Sequence, residues 1–157
     1  MTTSEKLANE LHLSVFGDPW HGASLEVILK DVTYKQAFNK PIKNAHSIVE
    51  LTLHIDAWTQ EVLDRLNGKV HHEPSVGDLP NPTGNSEKYW NDTKQQLYDD
   101  TNKLIAVLKN FPTENLNKIV GSERNAAAGT GYTFEFMISG LLQHNAYHGG
   151  QISLLKK

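Results

Sequence analysis

The stretch TFEFMISGLLQHNAYHGGQISLL, residues 133–155, decides how this chain is read. It has no proline, and its apolar residues recur at helical spacing. At about 100° per residue, Phe134, Met137, Ile138, Leu141, Ile152 and Leu155 fall on one stripe. His148 falls inside that stripe and His144 at its edge, about 70° from the centre, with Gln151 just beyond. A helix here therefore turns a polar row toward the core side. The i, i+4 spacing brings the two imidazoles to within about 6 Å at Cβ, close enough for one metal ion to bridge. A structural pair explains the spacing equally well, since a buried histidine donates to a carbonyl or carboxylate. Gly149-Gly150 costs a helix about 1–2 kcal/mol against Ala-Ala, so it asks for a reason such as close helix approach or an open cavity.

Working outward, the prolines at 19, 41, 74, 80, 82 and 112 leave long proline-free stretches of helical period. These predict helices over Ser4–Phe16, with Ser4 as cap and Gly17 as stop, Ala45–Leu66, Ser86–Lys109 and Thr133–Leu155. Short helical turns over 24–30 and 33–38 bridge the first and second. Residues 68–85, rich in Gly, Pro and Asn, read as a long loop, and the only extended candidate, a poor one, is Leu116–Val120. No internal repeat is present. The expectation is an all-α fold, a four-helix bundle with a long crossover and short bridging helices, in a single domain over 1–157.

Composition removes several function classes. The chain has 157 residues, 38% of them apolar, and a net charge of −3. That balance argues against a nucleic-acid module, which needs a basic patch to neutralise phosphates. No window approaches the length of a membrane span. The opening MTTSEKLANELH lacks the basic and apolar regions of a secretory signal. With no cysteine, there is no disulfide, no thiolate-held metal and no cysteine nucleophile, which fits a cytoplasmic protein. No Ser-His-Asp arrangement, phosphate loop or dinucleotide fingerprint is evident. Histidine stands out, with eight residues, so any transition metal would be bound by nitrogen and oxygen.

The second helix offers a third ligand. Its stripe is Ile48, Leu51, Ile55, Trp58, Val62 and Leu66, and His54 lies on the flank, about 80° from the centre. Glu50 lies one turn earlier on the same flank. His54 then either faces a neighbouring helix as a ligand or sits half-exposed, paired with Glu50. His46 belongs to the start of the helix, and His71 and His72 to the loop, facing water. His12 has no identifiable partner. His21 follows Trp20 in a tight DPWHG loop that could wall a pocket at the bundle end.

Three segments in order resemble the DinB/YfiT-like family of metalloenzymes. GDPWHGASLEVIL (17–29) is similar to its Trp-His-Gly segment, HSIVELTLHIDAW (46–58) to its second-helix signature, and HNAYHGGQISLLK (144–156) to its last-helix signature. The resemblance covers nearly the whole chain. It implies a four-helix bundle in which His54, His144 and His148 hold one divalent metal per chain, zinc or nickel, with waters completing the shell. It also implies a homodimer. Activities in the wider superfamily use low-molecular-weight thiols such as bacillithiol, mycothiol or glutathione.

The leading reading is accordingly a metal-dependent, thiol-using S-transferase acting on small electrophiles. The alternatives are a metal-dependent hydrolase, a non-catalytic metal-binding stress protein, or a bundle whose histidines are merely structural. In the enzyme reading Gln151 bonds a ligand or metal water, Glu50 orients His54, and Trp20 and His21 line the pocket mouth. The partner is a small-molecule substrate, with no nucleic acid and no membrane.

Overall fold

A computed structural model describes residues 1–157. The elements are α1 (Thr3–Phe16), α2 (Leu25–Lys30), α3 (Tyr34–Phe38), α4 (Ile48–Leu66), α5 (Glu87–Lys109) and α6 (Phe134–Leu155), with a 3₁₀ turn at Thr113–Asn115. The four long helices and both bridging helices match the predicted ones to within a few residues. The fold is all-α.

The starts of the long helices are written locally. Thr2, Ser47, Ser86 and Thr133 are N-caps whose hydroxyls accept a backbone N–H. At Thr2 and Ser47 a glutamate three residues on, Glu5 and Glu50, bonds back to the cap's own N–H and closes a capping box. The cap of α1 is thus Thr2 and not Ser4. Ser4 is fully buried, with its hydroxyl 3.3 Å from that of Thr113. α4 likewise starts at Ile48 rather than Ala45, because the capping box sets its first turn.

α5 packs against α1 and α4, and α6 packs against the same two, which orders the bundle α1, α5, α4, α6. α2 lies on α6 and α1, and α3 on α4 and α5. The core draws on every long helix: Leu11 and Val15 from α1, Ile48 and Ile55 from α4, Leu97, Leu104 and Leu108 from α5, Ile138 and Ile152 from α6. Trp90, 1% exposed, donates its indole N–H to the Val32 carbonyl at 2.8 Å and pins the crossover to α5. Gly149 explains half of the Gly-Gly pair. A Cβ there would meet Ile28 Cδ1 at 3.2 Å and Leu25 Cδ2 at 3.3 Å, so its bareness lets α2 close on α6.

The extended candidate at Leu116–Val120 forms no strand. It supplies one isolated bridge, Ile119 to Thr133, within a looped excursion that returns to α6 through Val120 N–H to Tyr132 O at 2.8 Å. No helix is long and apolar enough to cross a membrane.

Candidate metal centre

Adjacent packing of α4 and α6 brings His54, His144 and His148 together. One ring nitrogen from each lies within 4.8 Å of the others. The ring centroids are 4.7 Å apart for His54 with either partner and 4.4 Å for His144 with His148. The register on α6 differs from the simple stripe. The buried line runs Met137, Ile138, Leu141, Asn145, Gly149 and Ile152, and both histidines sit on its flank toward α4. Phe134 and Leu155 are half-buried.

Two of the three rings are held from behind. His54 Nδ1 donates to the Asp78 carbonyl at 2.5 Å, because a carbonyl oxygen can only accept. That leaves Nε2 to face the site. Asp78 Oδ1 lies 3.5 Å from the same Nδ1 and accepts the Trp58 indole N–H at 2.8 Å. The loop over 68–85 is therefore strapped across His54 by one residue. His148 Nδ1 donates to Gln151 Oε1 at 2.6 Å, which again leaves Nε2 inward. His144 Nε2 lies 2.8 Å from His54 Nε2, while its Nδ1 is buried with no hydrogen-bond partner.

This donor set fits a divalent metal. Two imidazole nitrogens on one ion at about 2.1 Å lie about 3.0–3.4 Å apart, so the His54–His144 pair needs to open by only a few tenths of an ångström. Burial, reinforced by the neighbouring His148 and His54, pushes His144 down to about 4. Burial also lowers His148. Both rings are thus kept as lone-pair donors at neutral pH rather than cations.

The structure reassigns the other predicted site residues. Glu50 does not orient His54. Its carboxylate closes the Ser47 capping box and pairs with Lys40 at 2.8 Å. Gln151 accepts from His148 through its side-chain oxygen and so positions that ring. Trp20 is fully exposed, and His21 lines a separate cavity of about 150 Å³ with Asn145 and Gly149, on another face of α6. His71 does not simply face water, since its Nδ1 lies 2.9 Å from Glu61 Oε2.

A cavity of about 290 Å³ adjoins the histidines, with His144 in its wall. Trp58, Val62, Tyr132, Phe136 and Met137 make it mostly apolar, and Arg65 is its buried charged residue. Sequence reasoning missed Asp78 and Arg65 and placed Trp58 only in the core. Trp58 had a signal, one turn after His54 on the same helix. Asp78 had none, because a loop's landing point is not written in its own residues.

The family model described as the DinB superfamily matches residues 20–152. The chain is an all-α bundle carrying a three-histidine cluster between two of its helices, and it belongs to the DinB superfamily. No curated protein and no solved structure matches it.

Proposed function

We propose that this chain is a divalent-metal-dependent enzyme that joins a low-molecular-weight thiol to a small electrophile, with His54, His144 and His148 holding one zinc or nickel ion. The observation that carries this reading is three imidazoles from two helices, their nitrogens within 4.8 Å, one of which, His144, also walls an apolar cavity. A bound divalent ion with free coordination positions supplies Lewis acidity, which favours the deprotonated form of a thiol or water.

The chain's own residues do the rest. Asp78 and Gln151 hold two of the rings in one tautomer and one orientation. The apolar walls exclude water and place the electrophile beside His144. The chain has no cysteine, so the sulfur must come from a cosubstrate. In the transfer, the thiol loses its proton and a carbon–sulfur bond forms. The electrophile either expels its leaving group or takes up the proton.

The outward face of α6 supports a homodimer. Phe136, Tyr147 and Leu154 are exposed there, and no charged residue falls between Glu135 and Lys156. Light scattering tests it. The cytoplasmic setting inferred from the cysteine-free composition suits a thiol cosubstrate.

The first test is metal content per chain on protein purified without chelator, for wild type and His148→Ala. About one zinc or nickel per chain, absent from the variant, is expected. Bacillithiol, mycothiol and glutathione are then assayed against a model electrophile. Metal-dependent consumption of one thiol is the expected result. Hydrolysis without thiol would replace the transfer reading with a hydrolytic one. A retained metal whose cobalt-substituted spectrum ignores every thiol would leave a non-catalytic protein.

A further inference from the structure

Arg65 stands out among the buried polar groups because one arm of its guanidinium lacks an oxygen partner. The side chain is 1% exposed, near the end of α4, and it lines the cavity that His144 also walls. Its Nε donates to Glu61 Oε1 at 2.6 Å and its Nη2 to the His71 carbonyl at 3.1 Å. Nη1 meets only the thioether of Met137, at 3.8 Å. A thioether is a weak acceptor, and a buried donor left without a good one is destabilising. The 126–129 loop comes close to this arm, since a Cβ at Gly129 would lie 3.4 Å from Nη1.

The surroundings restrict what can satisfy that arm. Glu61, 2% exposed, already matches the charge of Arg65, and its other oxygen lies 2.9 Å from His71 Nδ1, so with a neutral imidazole there the cluster carries no net charge. A carboxylate ligand would bring an uncompensated charge into an apolar cavity, which is costly, whereas a neutral acceptor would not. The walls favour a ring. Trp58 stands between the two ends, its ring centroid 5.8 Å from the Arg65 guanidinium carbon and 6.4 Å from the His144 ring. Tyr132 stacks on exposed Phe136 at 4.6 Å at the rim. Met137, the contact of Nη1, is two helical turns from His144, or about 10 Å, the span of a substituted ring.

We propose that this cavity binds a neutral, ring-sized molecule bearing a carbonyl-type acceptor, with Arg65 Nη1 donating to the acceptor and the ring lying along Trp58 toward His144. That such a molecule is the electrophile rests on the metal-centre reading above. The binding itself does not, so the two can fail separately.

The test compares acetophenone, ethylbenzene and benzoate by ¹H–¹⁵N spectroscopy of the Trp58 indole and the Arg65 side chain. It is run on chelator-treated protein and again with one equivalent of zinc. Acetophenone is expected to bind the chelator-treated protein at least about tenfold more tightly than ethylbenzene, with benzoate weakest. Arg65→Met combined with Glu61→Gln removes the guanidinium without stranding a buried carboxylate. It should abolish the preference for acetophenone while ethylbenzene binding persists. Gly140→Leu leaves the ion pair alone and fills the cavity, since a Cβ at Gly140 meets nothing within 4 Å. It should abolish binding of both. Equal binding of acetophenone and ethylbenzene by wild type, tightest binding of benzoate, or no binding at all would overturn the proposal. A preference for acetophenone without any zinc uptake would uphold it while removing the enzyme reading.

Discussion

His54 is held by a backbone oxygen, and the residue that offers it also anchors Trp58 through its carboxylate. Asp78→Ala keeps the carbonyl but frees the indole and loosens the loop that carries that carbonyl. Metal affinity should fall about 10- to 100-fold, as is usual when support behind a ligand is lost, and competition with a chelator reads it. Glu50→Ala should do the reverse. It loses the capping box and the Lys40 pair, costs about 1 kcal/mol in urea unfolding, and leaves metal affinity unchanged. Equal effects of the two variants on affinity would show that Asp78 is not the support of His54. The i, i+4 pair on α6 was legible in the sequence. Which neighbour buttresses each ring was not, since Glu50 and Asp78 are both acidic and only one is brought to His54 by the loop.

At the scale of elements, the two adjacent glycines of α6 have opposite roles. A Cβ at Gly150 meets nothing within 4 Å, whereas one at Gly149 abuts α2. Gly150→Ala should therefore stabilise the fold by about 0.5–1 kcal/mol through backbone entropy alone. Gly149→Leu should destabilise it by about 1–3 kcal/mol by forcing α2 away. Parallel urea titrations measure both. Between α4 and α5, Gln60 bridges two buried carboxylates, bonding Asp56 and Asp100 at 2.9 Å each. Burial, with the Asp100 charge second, pushes Asp56 up to about 7 from 3.8. The native state therefore holds a proton that the unfolded chain has released, and this contribution is present at low pH and lost as pH rises through about 7. Relative to Asp56→Asn, wild type should lose stability between about pH 4 and about pH 7 and change little above that, read from the shift in urea midpoint. A difference that is flat or of opposite sign would refute the assignment.

For the molecule as a whole, the candidate ligands tie α4 to α6, so metal binding and folding are linked. Free metal at 100 times its dissociation constant should stabilise the native state by about 2.7 kcal/mol. Zinc or nickel should raise the thermal midpoint of wild type and leave that of His148→Ala in place. A midpoint indifferent to metal in both proteins would argue against a site between these helices.

What the sequence by itself determined is the set of elements and, through the family resemblance of two helical motifs, three candidate histidines. Proline spacing, apolar periodicity and cap residues act within a few positions of one another, and so they can be read along the chain. Even here the local rules competed. Ser4 is a good cap, but Thr2 has Glu5 three residues on and closes the box. Only the tertiary structure decided that Asp78 stands behind His54, that Gln151 is committed to His148, that Trp20 and His21 lie elsewhere, and that Arg65 lines the cavity with one arm against the Met137 thioether. Those contacts join residues from separate helices and loops. Their geometry depends on how amphipathic faces rotate and close when the bundle packs, and no local pattern encodes that rotation.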